Sequence, residues 1–565
     1  MDASGFRRPT GLLKGRQVDA SERARVLQLL DGLELRRDLL IEHLHRIQDA
    51  EGCLPAGLLA ALAELLRLSQ AEVYEVATFY HHFDVVREDD ARPPSLTVRV
   101  CDSLPCRLAG AEALIAELPK RLGGDVRVQR VPCVGRCAQA PVAVVGRLPV
   151  APADPASVEA CVKRVSHDCP VPGAQDYAAY RAAGGYRQLA QLLDGSRSRE
   201  SVLDELDASG LRGLGGAGFP IARKWRIVAR QAAPRLMVVN ADEGEPGTFK
   251  DRHCLEAAPH RMLEGMLIAA SVVGCDACYV YLRDEYAGVR ALLERELAAL
   301  RSDPPARGHA LPQVYLRRGA GAYICGEESA LIESVEGKRG MPRLRPPYVA
   351  EVGLFGRPTL AHNVETLHWL PEILERGAAW FAGHGRRGRH GLRAFSVSGR
   401  VRSPGVKLAP AGISVRELVD EFCDGMLPGH ELYAFLPGGA SGGILPASLA
   451  GEPLDFDTLQ PHGAFIGSAA VIVLSQHDRA VDAARNLMAF FRDESCGQCT
   501  PCRVGTAKAA SEIAGGDWNV ALLRELSTTM MDASICGLGQ AAPNPVLSVL
   551  RYFAHELGPD DGGGR

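Results

Sequence analysis

Four cysteines near the C-terminus form the most informative pattern in this chain of 565 residues. Three of them lie within seven residues, in ESCGQCTPCR, and the fourth follows far downstream in SICGLG. They are Cys496, Cys499, Cys502 and Cys536. Such a run with a distant fourth cysteine can supply one thiolate to each iron of a [4Fe–4S] cluster. Three cysteines so close together would crowd a single tetrahedral ion, so the pattern favours a cluster over structural zinc.

A second set of four cysteines lies nearer the N-terminus with a different spacing. It consists of Cys101, Cys106, Cys133 and Cys137, a Cys-x4-Cys pair followed by a Cys-x3-Cys pair. Four thiolates from two loops suit a [2Fe–2S] cluster, although zinc ribbons have similar spacing and stay open as the alternative. An Fe–S cluster at one cysteine set makes a cluster at the other more plausible. Two Fe–S clusters on one chain indicate electron transfer.

A glycine-rich loop, GLRGLGGAGF, lies between the two cysteine sets and is followed by Lys224. Its inner glycines are Gly213, Gly215, Gly216 and Gly218. Glycines let backbone N–H groups approach a phosphate closely, and a lysine adds positive charge. The spacing fits neither the Walker A pattern nor the dinucleotide fingerprint, so it predicts a phosphate-binding loop of another type. A loop that is glycine-rich only for flexibility is the alternative.

Two acidic clusters follow the segments VVN and AYI, which are expected to be buried strands. The first cluster contains Asn240, Asp242, Glu243 and Glu245, and the second contains Glu327 and Glu328. The carboxyl edge of a sheet is where ligands of α/β folds bind. The alternative for each acid is N-capping of the next helix. Five acids bracketed by glycines in two such loops favour contact with a ligand.

The composition is that of a soluble globular protein, with 46% hydrophobic and 23% charged residues. A net charge of -4 argues against nucleic acid as the main partner. We expect a cytoplasmic protein, because no apolar run is long enough for a signal peptide or a membrane span. Sixteen cysteines in such a chain indicate metal or redox sites rather than disulfides. Cys275 and Cys278 have no second pair nearby and are expected to be structural thiols.

The elements that must position these residues fall into six segments of α/β multidomain type. We expect a flexible N-terminus at 1–18, a helical segment at 19–90, a small α/β domain at 91–165, a larger α/β domain at 166–392, a β-rich domain at 393–478 and a helical domain at 479–556. In the third segment the cysteine pairs lie in loops at strand ends, which predicts a [2Fe–2S] cluster near the surface. In the fifth, AFSVSGRV, ISVRELVDEF and ELYAFLP are expected to form short strands, with one helix in the domain.

The motifs together resemble the flavoprotein subunit of respiratory complex I, which also serves as the diaphorase of NAD-linked hydrogenases and formate dehydrogenases. The residues that carry this resemblance are RGLGGAGF, NADEGEPGTFKDR, GAYICGEESALIES, EGKRGMPR, NVET and ESCGQCTPCR…CGLG. The N-terminal part, ATFYHHF with its four cysteines, resembles the thioredoxin-like [2Fe–2S] subunit of the same assemblies. SGRVRSPGVKLAPAGI and LPGGASGGILPASL look closest to the β subunit of molybdenum- or tungsten-dependent NAD formate dehydrogenase.

This resemblance covers residues from about 35 to 550 and implies a domain for each of the last four segments. They are a thioredoxin-like [2Fe–2S] domain at 91–165, an FMN/NAD-binding domain at 166–392, a β-grasp-like (SLBB) domain at 393–478 and a [4Fe–4S] domain at 479–556.

The resemblance also implies roles for single residues. The loop Arg212–Phe219 with Lys224 would bind FMN phosphate and NAD(H), with Phe219 stacked on the adenine. The residues that would contact the flavin or the nucleotide are Asn240, Asp242, Glu243, Glu245, Tyr323, Gly326, Glu327, Glu328, Asn363 and Thr366. Tyr348 stands where the family usually has Phe beside the adenine, and His362 replaces the first Asn of NNVET. Cys325 would flank the flavin without binding metal.

The expected chemistry needs no catalytic side chain. Because NAD exchanges a hydride whereas clusters pass single electrons, a flavin must stand between them. Electrons are expected to enter through the [4Fe–4S] cluster and to leave as hydride to NAD+, with the [2Fe–2S] cluster as a side branch. The resemblance implies a catalytic partner subunit that holds molybdopterin with Mo or W and further Fe–S clusters. The alternatives are the diaphorase subunit of a NAD-reducing nickel–iron hydrogenase and a non-catalytic electron relay.

Overall fold

The computed structural model describes residues 16–164, 166–306 and 308–557. Of the expected flexible N-terminus at 1–18, residues 1–15 lie outside these ranges. The chain divides into two compact units, one formed by the residues up to Pro93 with Glu336–Arg339, the other by the rest. Within the described ranges no helix is both long and apolar enough to cross a membrane. The boundaries expected at 90, 165, 392 and 478 stay predictions.

The first unit is helical, as the spacing of its apolar residues predicts. It contains α1 (Ala20–Leu29), α2 (Leu40–Glu51), α3 (Ala56–Leu66) and α4 (Gln70–Phe79), with the short parallel strands β1 (Leu54–Pro55) and β2 (Val85–Val86). Ser69 begins α4 with a capping box that it shares with Glu72.

The second unit opens with a four-stranded mixed sheet of order β4-β3-β5-β6. Its elements are β3 (Leu96–Cys101), α5 (Leu104–Leu108), α6 (Ala111–Leu122), β4 (Val126–Val131), β5 (Ala143–Val145), β6 (Leu148–Val150) and α7 (Pro155–Val162). Strands β3 and β4 are parallel, and Cys101 pairs with Val131 at their carboxyl ends. The prediction that both cysteine pairs lie in loops at strand ends is wrong for the first pair, because Cys101 is the last residue of β3 and Cys106 lies in α5. Cys133 and Cys137 lie between β4 and β5, so both pairs follow neighbouring strands at one sheet edge.

A four-stranded parallel sheet follows, with strand order β10-β7-β8-β9. Its strands are β7 (Arg235–Ala241), β8 (Cys275–Leu282), β9 (Gln313–Arg318) and β10 (Thr359–Asn363). The helices of this region are α8 (Tyr177–Ala182), α9 (Arg187–Leu193), α10 (Arg199–Ser209), α11 (Ile221–Ala229), α12 (Lys250–Ala257), α13 (Pro259–Val273), α14 (Ala287–Ser302), α15 (Glu328–Val335), α16 (Val364–His368), α17 (Leu370–Arg376) and α18 (Ala378–Ala382). This sheet and its helices form an α/β layer structure whose core includes buried Met237, Val239 and Leu267.

The prediction of a buried strand at AYI is wrong. Strand β9 ends at Arg318, and Tyr323–Gly326 forms a 3-10 turn before α15. Gly321, with φ +76°, stands between them. A left-handed glycine bends the chain out of the extended path, so the strand cannot continue into AYI.

The chain ends in a five-stranded sheet and a group of helices. The sheet has the order β12-β11-β15-β13-β14, and its elements are β11 (Leu392–Gly399), β12 (Gly405–Pro410), α19 (Val415–Phe422), β13 (Leu432–Leu436), β14 (Leu445–Pro446) and β15 (Ala470–Ser475). The segment ISVRELVDEF, expected to be a strand, forms α19, because Ser414 and Glu417 build a capping box there. The last helices are α20 (Ala480–Asp493), α21 (Thr500–Glu512), α22 (Val520–Ala533), α23 (Gly537–Ala541) and α24 (Asn544–Tyr552).

Candidate functional site

The four C-terminal cysteines lie around one open cavity. Cys496, Cys499, Cys502 and Cys536 line this cavity together with Ile324. Helices α21 and α22 return the chain so that Cys536, at the start of α23, lies near Cys502 in the first turn of α21 and the two cysteines before it. Four sulfur donors around one cavity, three of them from a Cys-x2-Cys-x2-Cys run, fit a [4Fe–4S] group.

Ionisation of two of these thiols is opposed by their surroundings. Burial raises the pKa of Cys502 to about 11 and that of Cys536 to about 12. Because iron binds the thiolate, assembly of a cluster here must displace protons from the cysteines.

The N-terminal cysteine set is buried, so the expectation of a cluster near the surface is wrong. Cys101, Cys106 and Cys133 are each 1% exposed and Cys137 is 3% exposed. The sulfurs of Cys133 and Cys137 are 3.3 Å apart, and the thiol of Cys101 interacts with those of Cys106 and Cys133. Phe249, which precedes α12, packs on Cys133 and Cys137 and closes this side of the set. Four converging sulfurs fit a [2Fe–2S] cluster.

The glycine-rich loop joins α10 to α11, so a helix rather than a strand precedes it, unlike in a dinucleotide fingerprint. Its ends pair through a hydrogen bond from Gly213 N to Phe219 O at 2.8 Å. Leu214 N donates to Thr366 Oγ1 at 2.9 Å, which ties the loop to α16. Gly218 has φ +64°, and a Cβ there would lie 2.6 Å from Phe456.

The segment at the carboxyl end of β7 contains one unpartnered carboxylate oxygen. Asn240 donates from Nδ2 to Gly326 O at 2.8 Å and accepts from Asp242 N at 3.1 Å. Asp242 Oδ2 is buried and makes no hydrogen bond within the described residues. Burial also raises the pKa of Asp242 well above its usual range. An orphaned buried oxygen of this kind indicates a missing partner and fits a bound flavin.

Two of the predicted ligand contacts are engaged in helix capping. Glu243 accepts from Asp251 N at 2.7 Å and from Arg252 N at 3.0 Å in the first turn of α12. Glu327 accepts from Ala330 N at 2.9 Å in the first turn of α15. The alternative of N-capping therefore describes these two carboxylates. Burial, with a smaller contribution from the nearby charge of Asp251, raises the pKa of Glu243 to about 7.

Two basic and two acidic side chains form a cluster around Lys224, which follows the glycine-rich loop. Lys224 Nζ donates to Ala361 O at 2.7 Å and lies 3.7 Å from Glu328 Oε2. Arg345 pairs with Glu328 at 3.2 Å and also with Glu327. Lys224 and Glu328, predicted from separate motifs, are thus brought together.

The segment Tyr323–Glu328 connects the acidic loops to the C-terminal cysteines. Glu245 accepts from Ser441 N at 2.8 Å and from the hydroxyl of Tyr323. Tyr323 N donates to Glu494 Oε2 at 2.9 Å, two residues before Cys496. Because Ile324 lines the cysteine cavity, one short segment contacts both candidate sites.

Two aromatic rings stand open to solvent at the predicted adenine positions. Phe219 is 40% exposed, with Arg223 5.6 Å above its ring, and Tyr348 is 55% exposed. His362 instead points into the core, where it accepts from Trp225 Nε1 at 2.6 Å. Burial lowers the pKa of His362 well below its usual range, which leaves it a neutral acceptor.

Sequence reasoning missed a buried charged group behind Asn363. Lys250 Nζ lies 2.9 Å from Asp251 Oδ1, 3.0 Å from Glu365 Oε2 and 3.3 Å from Asn363 Oδ1. Asn363 Nδ2 donates to Asp251 Oδ2 at 2.6 Å, so its amide orientation is fixed by protein groups. The signal was present in NADEGEPGTFKDR, where the lysine and aspartate follow the acids.

Comparison with known families finds a match in each region that holds a candidate site. Residues 26–166 match the thioredoxin-like [2Fe-2S] ferredoxin family, residues 206–372 the Nuo51 FMN-binding domain, and residues 482–559 the NADH-ubiquinone oxidoreductase-F iron-sulfur binding region. The chain thus has an FMN-binding domain, a [2Fe–2S] domain and a [4Fe–4S] region.

Individual relatives match over most of their length. The second F-type subunit of NADH-quinone oxidoreductase in Rhizobium meliloti is 40% identical over 399 residues, 68% of this chain and 94% of that protein. The mitochondrial NADH-ubiquinone oxidoreductase 51 kDa subunit of Neurospora crassa is 41% identical over 66% of this chain and 79% of that protein. The crystal structure of a NAD+-reducing [NiFe]-hydrogenase in the H2-reduced state has a TM-score of 0.79 and 32% identity, covering 94% of both chains.

Proposed function

Because this chain belongs to the family of the F-type subunits of NADH-quinone oxidoreductase, we propose that it is the diaphorase subunit of a multi-subunit enzyme that exchanges electrons with NAD(H). It is an NAD-dependent oxidoreductase subunit with FMN and Fe–S clusters. The observation that carries the proposal is the segment Tyr323–Glu328, which contacts the acidic loops and also lines the cavity of Cys496.

The roles proposed for the residues follow from their positions. When bound, FMN exchanges a hydride with NAD and single electrons with Fe–S clusters. The glycine-rich loop and Lys224 would hold phosphate, since the loop is fixed by Thr366 and the lysine by Ala361. Phe219 and Tyr348, both exposed, would stack on the adenine. Asp242, whose oxygen lacks a partner, would accept a hydrogen bond from the flavin.

The remaining predicted contacts are proposed in two groups. Tyr323, Gly326 and Glu328 would line the flavin and the nicotinamide, and Asn240, Asn363 and Thr366 would contact the flavin. The loop residues proposed to bind FMN phosphate and NAD(H) are Arg212, Gly213, Gly215, Gly216 and Gly218. Glu243, Glu245 and Glu327 hold neighbouring protein groups, so we propose that they shape the pocket through those groups. The eight cysteines of the two sets are proposed as the cluster ligands.

We propose a formate dehydrogenase as the enzyme that contains this subunit. SGRVRSPGVKLAPAGI and LPGGASGGILPASL support this assignment through their resemblance to the β subunit of the Mo- or W-dependent enzymes. The catalytic partner would then hold molybdopterin. Thiolate ligands must stay reduced before iron binds them, which fits a cytoplasmic location.

A NAD-reducing nickel–iron hydrogenase is the second candidate. It is favoured by a specific observation, the match of 94% of this chain to a chain of the NAD+-reducing [NiFe]-hydrogenase. The quinone oxidoreductase relative in Rhizobium meliloti matches only 68% of this chain, so the longer layout agrees better with the hydrogenase chain. The two candidates share every site residue and differ in the partner's metal.

Elemental analysis of the complex, purified natively through a tag on this chain, separates the candidates. Iron with molybdenum or tungsten is the expected result and supports a formate dehydrogenase. Iron with nickel would replace that partner by a hydrogenase. Iron with none of these metals in an intact complex would contradict both, and absence of bound FMN would revive the electron relay.

A further inference from the structure

Two arginines of the FMN-binding domain donate hydrogen bonds to the loop that carries Cys133 and Cys137. Arg283, directly after β8, donates from Nη2 to Cys133 O at 2.7 Å, and its side chain is 5% exposed. Arg252, on α12, donates from Nε to Gly135 O at 2.9 Å. Two guanidinium groups thus approach the backbone beside two of the four proposed ligands.

Arg283 also binds the loop after β7, which carries Asp242, Glu243 and Glu245 and is called the flavin-side loop. Its Nη1 donates to Glu243 O, so one guanidinium joins the carbonyl of Glu243 to that of Cys133. Tyr286 supports this contact, because its hydroxyl donates to Glu243 Oε2 at 2.8 Å. The same hydroxyl would lie 2.2 Å from a Cβ at Gly135, where φ is +71°, so only glycine fits beside Tyr286 at this position of the cysteine loop.

We propose that Arg283 is a positioning residue that raises the reduction potential of the cluster held by Cys101, Cys106, Cys133 and Cys137 and joins that cluster to the flavin-side loop. The inference rests on the proposed assignment of these four cysteines as [2Fe–2S] ligands.

The physical reason is electrostatic. Reduction adds one electron to the cluster and makes its net charge more negative, and no bond is formed or broken. A buried cation beside the ligands stabilises the reduced form, and weak screening in a buried site makes that effect larger than at the surface. The planar guanidinium can also reach several acceptors at once, which the ammonium of a lysine does less well.

Neighbouring charges allow the sign of the effect to be tested. Glu285 pairs with Arg283 through two contacts, at 2.8 and 3.1 Å, and is 26% exposed. Glu256 pairs with Arg136 of the cysteine loop at 3.3 Å and also with Arg252. Removing the carboxylate of Glu285 leaves the cation uncompensated, whereas removing Arg283 leaves the carboxylate uncompensated.

A redox titration of the intact complex with dithionite, followed by EPR, tests the proposal. In Arg283→Gln the midpoint potential of the [2Fe–2S] signal should fall, and in Glu285→Gln it should rise. Arg283→Lys, which keeps the charge, should shift it less than Arg283→Gln. The matched control is Arg386→Gln, an arginine paired with Glu421 in the β-rich region, which should leave the potential unchanged. The [4Fe–4S] signal should not move in any variant.

An unchanged potential in Arg283→Gln with a wild-type signal amplitude overturns the proposal. Where Arg283→Gln loses the signal altogether, Glu285→Gln decides, because a rise supports the proposal and no shift overturns it. A wild-type complex without any [2Fe–2S] signal would overturn the ligand assignment itself, and this result is distinct from a signal whose potential does not respond.

Discussion

Cysteine sulfur can bind iron at the C-terminal cavity only as thiolate, and the protein alone disfavours that state. Burial raises the pKa of both Cys502 and Cys536, so the charge must be compensated by the metal. The loss of one ligand therefore weakens the whole set, because Cys502 and Cys536 have little tendency to ionise without the metal.

Replacing Cys496 by serine should remove the [4Fe–4S] EPR signal and abolish electron exchange with the partner subunit. Because the glycine-rich loop and the acids at β7 stay in place, NADH:ferricyanide activity should be largely retained. Cys169→Ser is the matched control, a partly exposed cysteine outside both sets, and should change neither. Loss of both activities together in Cys496→Ser would contradict the proposed order of electron transfer.

Residue type and spacing predict which residues belong to the candidate sites, but they do not predict which group each side chain contacts. Metal ligation demands particular spacings, so the sequence alone supports the eight cysteines as proposed ligands. Glu243 and Glu327 were assigned to ligands although their carboxylates cap α12 and α15, since a sequence does not say which partner an acid will meet first. The buried lysine Lys250 was missed because an amine enclosed by carboxylates has the same sequence appearance as a surface lysine.

At the scale of elements, the glycine-rich loop depends on backbone shapes that a side chain would forbid. Ala at Gly218 would adopt φ +64° and place its Cβ 2.6 Å from Phe456. Backbone strain of this kind costs about 1–3 kcal/mol. We expect Gly218→Ala to lower the thermal midpoint and to weaken FMN retention, measured as flavin content after gel filtration.

The control for this variant is Gly451→Ala, a glycine with nothing within 4 Å of an added Cβ. It should leave both the midpoint and the flavin content close to those of the wild type. Equal flavin content in Gly218→Ala and wild type would show that the loop tolerates a side chain and does not approach the phosphate closely.

Helix α19 has a pH-dependent cap. Hydrogen bonds from Arg387, at 2.8 and 2.9 Å, lower the pKa of Glu417 to about 2, and Ser414 N adds another at 2.8 Å. A carboxyl whose pKa falls on folding contributes stability that is complete above its unfolded pKa, about 4.5, and is lost as the pH falls toward 2. Glu417→Gln should therefore cost about 1–3 kcal/mol at neutral pH, and less below pH 4.5.

Thermal unfolding of wild type and Glu417→Gln at about pH 7 and about pH 3.5 measures this difference. Glu421→Gln is the control, since Glu421 is more exposed and exposed ion pairs contribute little. A penalty for Glu417→Gln that grows as the pH falls would contradict the assigned direction.

The elements with a clear period were predictable, and the exceptions have local causes. Helical spacing in the first unit and β-branched runs before the cysteine loops predicted elements that the structure contains. AYI is too short and apolar for its sequence to distinguish a strand from a turn. ISVRELVDEF contains β-branched residues but also four charged ones, and its buried Val415, Leu418 and Val419 have the spacing of a helix face. A left-handed Gly321 in one case and the capping box of Ser414 in the other decide against a strand.

At the scale of the whole molecule, the two cysteine sets differ in access to solvent, and this difference could not be predicted from spacing. The N-terminal set is enclosed because Phe249, Arg252 and Arg283, more than a hundred residues away in the chain, pack on it. The C-terminal set lines a cavity, with Cys496, Cys499 and Cys536 only partly buried. Burial of a loop depends on long-range packing, which local patterns do not encode.

Removal of iron should therefore proceed in two steps. A chelator in the presence of mild oxidant should strip the cluster at Cys496, Cys499, Cys502 and Cys536 first, because reagents can enter that cavity. The iron of the enclosed set should leave only when the second unit opens, since its cysteines are at most 3% exposed.

EPR measures the two losses separately. The decay rate of the [4Fe–4S] signal should increase with chelator concentration, whereas the [2Fe–2S] signal should decay at the rate of unfolding. Adding about 2 M urea should accelerate the second decay more than the first, because denaturant favours opening. Simultaneous loss of both signals without unfolding would mean that the buried set has its own route to solvent and that packing by Phe249 does not protect it.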